Sequence, residues 1–347
     1  MPSRPTRGSS PRPTPHADNL AYFGDGTNEA QLVYNFALPP LVLHALLRGD
    51  ARTLTAWAAT LRTPSDQTTF FNFVASHDGI GLNPVRGILP PAEIQFLVER
   101  CRAHGGLIGL KQNPDGSTSP YELNIVYFDA VNDPAAEEPL AIQVRRFLVS
   151  QAILLSLAGV PGIYFHSLFG SRNDTDGARS SGIPRRINRQ KLPLAELRAE
   201  LAQPGSLRAV VFRQYRELLR VRRGEPAFAP RAPQRIWDVD RRVFAVERTA
   251  DAGRSVLCLH NVSDQRVMLD LVSQVPGVLN PRRDLDRWPQ GAPGSWVDLL
   301  AKASEATPMD GVARCAPDGR TRLVLEPYAV RWLAAAGLGV RQLVAAG

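Results

Sequence analysis

The distribution of apolar and polar positions divides the chain into two parts of different texture. Up to about residue 230, short apolar runs alternate with longer segments of helical periodicity. From about residue 235 onwards, short alternating runs such as RVFAVERTA and SVLCLHNVS are separated by Gly, Pro, Asp and Asn. The first pattern is typical of a parallel α/β sheet, and the second predicts a small antiparallel β-domain.

In the first part, the pattern predicts three buried strands, several helices and one hairpin. Pro39 and Pro40 predict a turn, which a helix from Leu41 follows. The predicted strands are 32–36, 68–79 and 159–170; the other predicted helices are 51–63, 90–105, 139–159 and 207–223; the predicted hairpin is 106–123. Polar residues follow the apolar runs at their carboxyl ends, as they do around the active site of a TIM barrel.

Composition and charge are ordinary for a globular protein with a basic balance. The chain has 347 residues, of which 44% are hydrophobic and 21% charged, and its net charge is +8. The basic residues are scattered, and no zinc-finger, RNP or helix-turn-helix pattern is present. We therefore expect no nucleic-acid partner, and an arginine-rich composition accounts for the charge.

The three cysteines are Cys101, Cys258 and Cys315, an odd number without short spacing. This pattern predicts neither a disulfide framework nor a metal site, and it favours a reducing, cytoplasmic location. The N-terminal residues contain no apolar segment of a secretory signal. The longest apolar stretch, 147–169, is interrupted by polar residues and a proline, which predicts a buried helix and strand rather than a membrane span.

The sharpest chemical signal is the stretch NFVASHDGIG, residues 72–81. An apolar strand is predicted to deliver His77 and Asp78 to its carboxyl end, where Gly79 and Gly81 let the chain turn away. A carboxylate beside an imidazole suits recognition of sugar hydroxyls and stabilisation of a developing oxocarbenium ion. The alternative for this pair is a simple strand-end cap.

Five segments in order give the chain a resemblance to a known family. They are PHADNLAYFGDGTNEAQLVYNFALPPLVLHALL, FVASHDGIG, PYELNIVYFDAV, GVPGIYFHSLFGSRND and RRINRQ. With them, the chain resembles the sucrose phosphorylase branch of the α-amylase superfamily, glycoside hydrolase family 13. The branch includes phosphorylases of sucrose, sucrose 6-phosphate and glucosylglycerate. The resemblance runs from about residue 15 to residue 191 and continues more weakly beyond.

The resemblance implies an α/β fold with a defined domain arrangement. Residues 16–230 would form the C-terminal half of a (β/α)8 TIM barrel, that is, its last three strands and helices. A loop region at about 82–135 would be inserted into this half barrel. Residues 235–347 would form a small C-terminal antiparallel β-domain.

The resemblance also implies a retaining phosphorolysis and roles for five residues. Asp78 resembles the transition-state stabiliser, His77 its sugar-binding neighbour, and Arg189 the arginine that helps to hold the sugar. Tyr121 and Glu122 resemble residues of a mobile loop that contacts substrate. Sucrose phosphorylases would carry Gln in place of Glu122, so this residue favours relatives acting on sucrose 6-phosphate, glucosylglycerate or similar compounds. The implied partners are an α-glucoside and inorganic phosphate, without cofactor, metal or membrane, and with a homodimer for the full-length enzyme.

For several of these residues, a purely structural role is the alternative to a functional one. Arg189 could be a surface arginine in a basic segment, and Glu122 a solvated loop residue. His166 is better explained as a core histidine with satisfied hydrogen bonds than as a catalytic group. Asp25, in the stretch YFGDG, is better explained as a loop residue than as a catalytic acid.

Residues 1–15 are predicted to be a disordered tail, because they are rich in Pro, Arg and Ser and contain no acidic residue. The resemblance implies a segment such as ITETNVPH at this place, carrying the acid/base Glu. Codons written for its first five residues with their flanking bases, xTC ATC ACC GAG ACC AAC G, give Ser-Ser-Pro-Arg-Pro-Thr when they are read one base out of frame. This matches residues 9–14, so we interpret the tail as an out-of-frame translation of the acid/base strand.

By the same comparison, the chain carries no match to the family's nucleophile segment, an Arg-x-Asp-Ala type motif. Without nucleophile and acid/base, a retaining reaction lacks its two carboxylates, so the chain alone is expected to be inactive. Two alternatives remain open. The chain could be a non-catalytic pseudogene fragment, or part of a hydrolase or transglucosylase of the same superfamily.

Overall fold

The computed structural model describes residues 15–250, 253–273, 296–301, 312–313, 320–335 and 340–345. Residues 1–14 of the predicted tail and Cys315 lie outside them. The helices are α1 Pro15–Leu20, α2 Leu38–Arg48, α3 Arg52–Ala58, α4 Pro91–Ala103, α5 Tyr127–Val131, α6 Leu140–Ser156, α7 Phe165–Leu168, α8 Thr175–Ser181, α9 Leu194–Leu201 and α10 Leu207–Gly224, with 3-10 turns at Ala21–Phe23, Asn83–Val85, Pro184–Asn188 and Pro226–Phe228. The strands are β1 Leu32–Tyr34, β2 Thr69–Asn72, β3 Ile80–Gly81, β4 Leu107–Gln112, β5 Thr118–Asn124, β6 Val160–Pro161, β7 Gln234–Asp240, β8 Val243–Thr249, β9 Ser255–Asn261, β10 Val267–Ser273, β11 Trp296–Asp298, β12 Val312–Ala313, β13 Arg320–Leu325, β14 Val330–Ala335 and β15 Val340–Ala345.

The first part of the chain contains a parallel sheet of three strands in the order β1-β2-β6. Val33 pairs with Phe70 and Phe71 with Val160. One face of the sheet is buried by helices, as the buried side chains of Val33 and Phe70 show. On the other face, the side chains of Leu32, Tyr34 and Phe36 are exposed. The sequence-based prediction of a parallel α/β sheet is confirmed.

The helices that cover the sheet are the ones that the periodicity predicts most clearly. α6 is buried along most of its length, and the amphipathic α10 packs against it. Between the two, the Tyr215 hydroxyl donates to Gln151 Oε1 at 2.9 Å, and both side chains are buried. Burial raises the pKa of Tyr215 far above its ordinary value, so its hydroxyl keeps its proton.

Two predictions for the first part of the chain are wrong: the turn at Pro39 and Pro40, and the length of the strand at 159–170. Pro39 and Pro40 do not form a turn; they lie in the first turn of α2. Proline fits this position, because the first helical N–H groups have no intrahelical acceptor and the ring fixes a helical φ. The strand predicted at 159–170 is reduced to β6, Val160–Pro161, after which the chain turns and forms the short helix α7.

An antiparallel sheet, in the order β3-β5-β4, and helix α4 occupy the region after β2. The predicted hairpin is confirmed as β4 and β5, with Lys111 opposite Ser119. Ile80 and Gly81 of β3 pair with Leu123 and Glu122 of β5. The hairpin is therefore bound directly to the segment that follows Asp78.

The second part of the chain is antiparallel, as predicted. Its strands form a sheet in the order β12-β11-β14-β9-β8-β7 and a second sheet in the order β13-β10-β15. Side chains of β9 alternate between two cores. Val256 and Cys258 pack into the core shared with the helices, whereas Leu257 and Leu259 pack between the two sheets.

Arg248 on β8 joins the antiparallel sheet to the first part of the chain. Its side chain is fully buried and donates to the carbonyl oxygens of Ser156, Ala229 and Ala232. Burial lowers the pKa of Arg248 to about 10. The carbonyl groups replace the water that a buried guanidinium loses, which holds the two parts in contact.

Within the part of the chain that the structure describes, no helix has both the length and the hydrophobicity needed to cross a membrane.

Candidate active site

A pocket of about 520 Å³ opens beyond the end of β2, on the uncovered side of the parallel sheet. His77 and Asp78 line it, together with Glu122, Tyr164 and Asn188. The wall of the pocket formed by the parallel sheet is aromatic. The rings of Tyr34 and Phe36 stack with centroids 5.4 Å apart, and Phe71 and Phe73 extend the same wall. An aromatic wall beside polar groups is the usual composition of a site for a small organic ligand.

His77 and Asp78 lie further from the strand than the sequence predicts. β2 ends at Asn72, and four residues separate it from His77. A turn holds the segment, because the Asp78 N–H donates to Ser76 Oγ at 3.1 Å. The His77 side chain is 72% exposed, and its Nε2 lies 3.7 Å from Asp78 Oδ2. The pair therefore projects into solvent at the mouth of the pocket.

The 3-10 turn Pro184–Asn188 and the residue after it hold this segment from the other side. Asn188 Nδ2 donates to the Asp78 carbonyl oxygen at 2.8 Å. Arg189 Nε donates to the His77 carbonyl oxygen, and Arg189 Nη2 to Asp78 Oδ1 at 3.1 Å. The structure thus brings His77, Asp78 and Arg189 together, although they are widely separated in the chain.

Glu122 joins the same cluster through Arg185. Arg185 Nε and Nη2 donate to the two carboxylate oxygens of Glu122 at 3.0 and 2.9 Å. Arg185 Nη1 also lies 2.9 Å from Asp78 Oδ1 in an ion pair. The hydrogen bonds to Glu122 raise the pKa of Arg185 above its ordinary value. Glu122 is only 7% exposed, which excludes a solvated loop residue.

The strand pairing explains why Glu122 reaches the site. Residues 119–124, which the resemblance places in a loop, form most of β5 here. Gly79 permits the close approach, because a Cβ on it would lie 2.6 Å from Glu122 Cγ and 2.5 Å from the Leu123 carbonyl oxygen. Tyr121, one position away, lies where the register between β4 and β5 shifts, and it does not line the pocket.

His166 has the properties of a satisfied histidine, although it also lines the pocket. It is buried, and its Nδ1 lies 2.9 Å from Ser171 Oγ, which in turn accepts from Arg208. Burial and the nearby Arg208 lower the pKa of His166, which favours the neutral ring. Asp25 lies in a turn, where Thr27 donates to its carboxylate.

Charges in the cluster are balanced. Asp78 and Glu122 are the carboxylates among the described pocket-lining residues, and Arg185 and Arg189 are the guanidinium groups that pair with them. Among the described residues, no group of three His, Cys, Asp or Glu side chains is placed to hold a metal ion. The arrangement can bind a polyhydroxylated molecule through Asp78 and can stabilise a positive charge beside it.

Sequence reasoning missed Arg185, Asn188 and the aromatic wall. The signal for Arg185 was available in the stretch RRINR, because it precedes Arg189 by about one helical turn. The wall has no comparable signal. Tyr34 and Phe71 alternate with buried residues as in any strand, and only the sheet pairing shows which face remains open.

Comparison with solved structures places the fold in a class. No protein-family model matches the chain. Its fold matches the crystal structure of sucrose 6F-phosphate phosphorylase from Thermoanaerobacter thermosaccharolyticum with a TM-score of 0.58 and 21% identity, over 70% of this chain and 45% of that one. The crystal structure of an α-amylase from H. orenii matches 91% of this chain and 50% of that chain with a TM-score of 0.51 and 16% identity. The chain therefore has an α/β fold related to the α-amylase-family TIM-barrel proteins and an additional β-sheet domain.

Sequence similarity narrows the class to one branch. The chain is 48% identical over 274 residues to the glucosylglycerate phosphorylase of Allomeiothermus silvanus, a match that covers 77% of this chain and 49% of that protein. The glucosylglycerate phosphorylase of Escherichia coli is 45% identical over 271 residues, 75% of this chain and 48% of that protein. The chain belongs to the sucrose phosphorylase branch of the α-amylase superfamily. It spans about half the length of these relatives.

Proposed function

We propose that the chain is part of a retaining phosphorylase that cleaves an α-glucoside with inorganic phosphate and releases α-glucose 1-phosphate. One observation carries the proposal. Asp78 is held at the mouth of an aromatic-walled pocket by Arg189, in a chain 48% identical to a glucosylglycerate phosphorylase over 274 residues. Glucosylglycerate is the proposed donor, since three relatives at 45–49% identity are phosphorylases of that compound. Sucrose and sucrose 6-phosphate are the next candidates.

The proposed architecture is the C-terminal half of a (β/α)8 barrel, residues 16–230, followed by the β-domain from residue 235. The parallel sheet supports it, because β1 and β6 form its two edges within the described residues. The open face carries Tyr34 and Phe36, which are 50% and 45% exposed. A closed barrel would pair those edges and enclose that face.

Within this proposal, Asp78 stabilises the transition state and binds sugar hydroxyls. Its Oδ1 is engaged by Arg185 and Arg189, whereas Oδ2 faces His77 Nε2 at 3.7 Å. That distance leaves Oδ2 free to accept from a sugar hydroxyl. His77 is exposed at the mouth and is proposed to bind the same sugar. Glu122 lines the pocket and is proposed to face the acceptor side, whereas Tyr121 lies outside the pocket lining. Arg189 holds Asp78 in place.

The retaining reaction needs two further carboxylates, a nucleophile and an acid/base. The nucleophile forms a bond to the anomeric carbon as the glycosidic bond breaks, and the acid protonates the departing oxygen. A phosphate oxygen then displaces the nucleophile and forms the sugar phosphate. The resemblance gives Asp78 and Glu122 other roles, and Arg185 engages both carboxylate oxygens of Glu122. We therefore propose that the chain alone is inactive and that another polypeptide segment supplies both carboxylates.

The proposal can be tested by supplying the segment that carries the nucleophile and the acid/base. The chain is co-expressed with the portion of the Allomeiothermus silvanus enzyme that lies outside the 274 matched residues, and glucosylglycerate and phosphate are added. We expect α-glucose 1-phosphate from the two polypeptides together and none from either alone. Asp78→Asn in the chain should reduce the rate by about a thousandfold or more, because transition-state stabilisation is lost.

Controls separate the named alternatives. Cleavage of glucosylglycerate in the absence of phosphate would identify a hydrolase or transglucosylase instead. An associated pair that gives no product would favour a non-catalytic role for the chain. Product from the chain alone would contradict its proposed inactivity.

A further inference from the structure

The pocket places two carboxylates beside each other in a site proposed to admit an anion. Asp78 and Glu122 both line it. Without positively charged partners, these two carboxylates would repel a phosphate that enters the same pocket. The repulsion would be strongest where burial reduces the screening by water. A site that uses phosphate therefore needs a group that cancels this charge.

Arg185 is the group that contacts both carboxylates at once. It reaches Glu122 through Nε and Nη2, in the bidentate geometry that binds a carboxylate most strongly, and Asp78 through Nη1. Arg185 itself is not among the residues that line the pocket. It acts on the pocket through its two partners.

The two carboxylates depend on Arg185 to different degrees. Asp78 is 41% exposed and has a second guanidinium, that of Arg189, on the same oxygen. Glu122 is buried and takes both hydrogen bonds of the Arg185 fork. Removing Arg185 therefore leaves Asp78 paired with Arg189 but deprives the buried carboxylate of Glu122 of its ion-pair partner, which is costly.

We propose that Arg185 is a positioning residue that neutralises Glu122 and orients it beside Asp78, so that the pocket accepts an anionic co-substrate of the oxyanion class, such as inorganic phosphate. The inference rests on the proposed function, since it names the charge requirement of the same site. The proposed role of Arg185 affects only the binding of the anion. Binding of an uncharged glucoside depends on Asp78, which Arg189 continues to hold.

The test measures the binding of two probes, inorganic phosphate and methyl α-glucoside, to the full chain by calorimetry at mildly alkaline pH. Arg185→Gln should weaken phosphate binding by about tenfold or more, because the unpaired Glu122 repels the anion. The double variant Arg185→Gln with Glu122→Gln should return to within about threefold of the unaltered chain, since the repelling charge is gone. Arg185→Lys should fall between them, because lysine keeps the charge but loses the fork.

The matched control is the exposed ion pair between Arg179 and Asp176 on α8. Arg179→Gln changes the net charge equally, and it should leave binding of both probes unchanged. Methyl α-glucoside binding should change by less than about threefold in Arg185→Gln, Arg185→Lys and Arg179→Gln, which also shows that these variants are folded.

The outcomes separate this inference from the proposed function. Glucoside binding with unchanged phosphate binding in Arg185→Gln overturns the inference, and so does an unaltered chain that binds glucoside but no phosphate. A double variant as weak as the single one also overturns it, because Arg185 would then contact the anion directly. An unaltered chain that binds neither probe overturns both the inference and the sugar site of the proposed function.

Discussion

Arg189 Nη2 donates to Asp78 Oδ1 at 3.1 Å across a separation of 111 residues. The same guanidinium donates from Nε to the His77 carbonyl oxygen. Arg189 therefore fixes both the backbone and the carboxylate of the segment at the mouth of the pocket. This relationship explains how an exposed turn, beyond the end of its strand, can present a carboxylate in one orientation.

Replacing Arg189 by glutamine should weaken binding of methyl α-glucoside to the chain by about tenfold or more. The reason is that Arg189 also donates to the His77 carbonyl oxygen, so the turn that carries Asp78 loses its backbone anchor together with one guanidinium partner of the carboxylate. Calorimetric titration of the variant measures the effect. Arg186→Gln is the matched control, because Arg186 belongs to the same segment but pairs with Asp174. Equal affinities in the two variants would contradict the role given to Arg189.

Alanine at Gly79 should destabilise the fold by about 1–3 kcal/mol, because the added methyl group meets backbone and side-chain atoms of β5. The Leu123 carbonyl oxygen would lie 2.5 Å from the new Cβ. Urea denaturation measures the free energy of unfolding. Gly205→Ala is the control, since no atom lies within 4 Å of a Cβ built there. A Gly79→Ala protein as stable as the control would show that β5 does not approach this closely.

Stability should fall between pH 6.5 and about 4 through His260. This ring is fully buried on β9, with Nδ1 3.0 Å from the Phe244 carbonyl oxygen, and burial lowers its pKa from 6.5 to about 4. The folded state therefore keeps the ring neutral, whereas the unfolded chain takes up a proton below pH 6.5. The free energy of unfolding should fall by roughly 3 kcal/mol across this interval from His260.

The His260→Gln variant isolates that contribution, because glutamine can still donate to the Phe244 carbonyl oxygen but does not titrate. Its denaturation midpoint should depend less steeply on acid pH than that of the unaltered chain. His77→Gln removes an exposed histidine and should keep the original slope. Parallel slopes for all three proteins would rule out His260 as the source.

Serine at both Tyr34 and Phe36 should reduce self-association and binding of an apolar dye. These rings form an uncovered aromatic face on the parallel sheet, and exposed faces of this kind promote association. Light scattering and dye fluorescence measure the change. Leu194→Ser provides the comparison, because Leu194 is an exposed large apolar residue on α9, away from the aromatic face. An equal effect at Leu194 would count against the half-barrel proposal.

Local periodicity in the amino-acid sequence was enough to predict several helices and the hairpin. The amphipathic repeat of 207–223 corresponds to α10, the apolar run at 139–159 to α6, and the turn residues of 106–123 to the hairpin of β4 and β5. These patterns are reliable because the residues that establish them lie within a few positions of one another. The HisAsp stretch also identified the centre of the site.

Other features depend on residues that are distant in the sequence, and local patterns did not predict them. A proline pair permits either a turn or a helix start, and the packing around α2 selected the helix. Glu122 and Tyr121 are adjacent in sequence, and the pairing of β5 with β3 decided that Glu122 faces the pocket. Arg185 became part of the site because a strand and a 3-10 turn 63 residues apart meet there. The physical reason is common to all three: an ion pair or a strand register is set by which surfaces meet in space, and local periodicity carries no information about that.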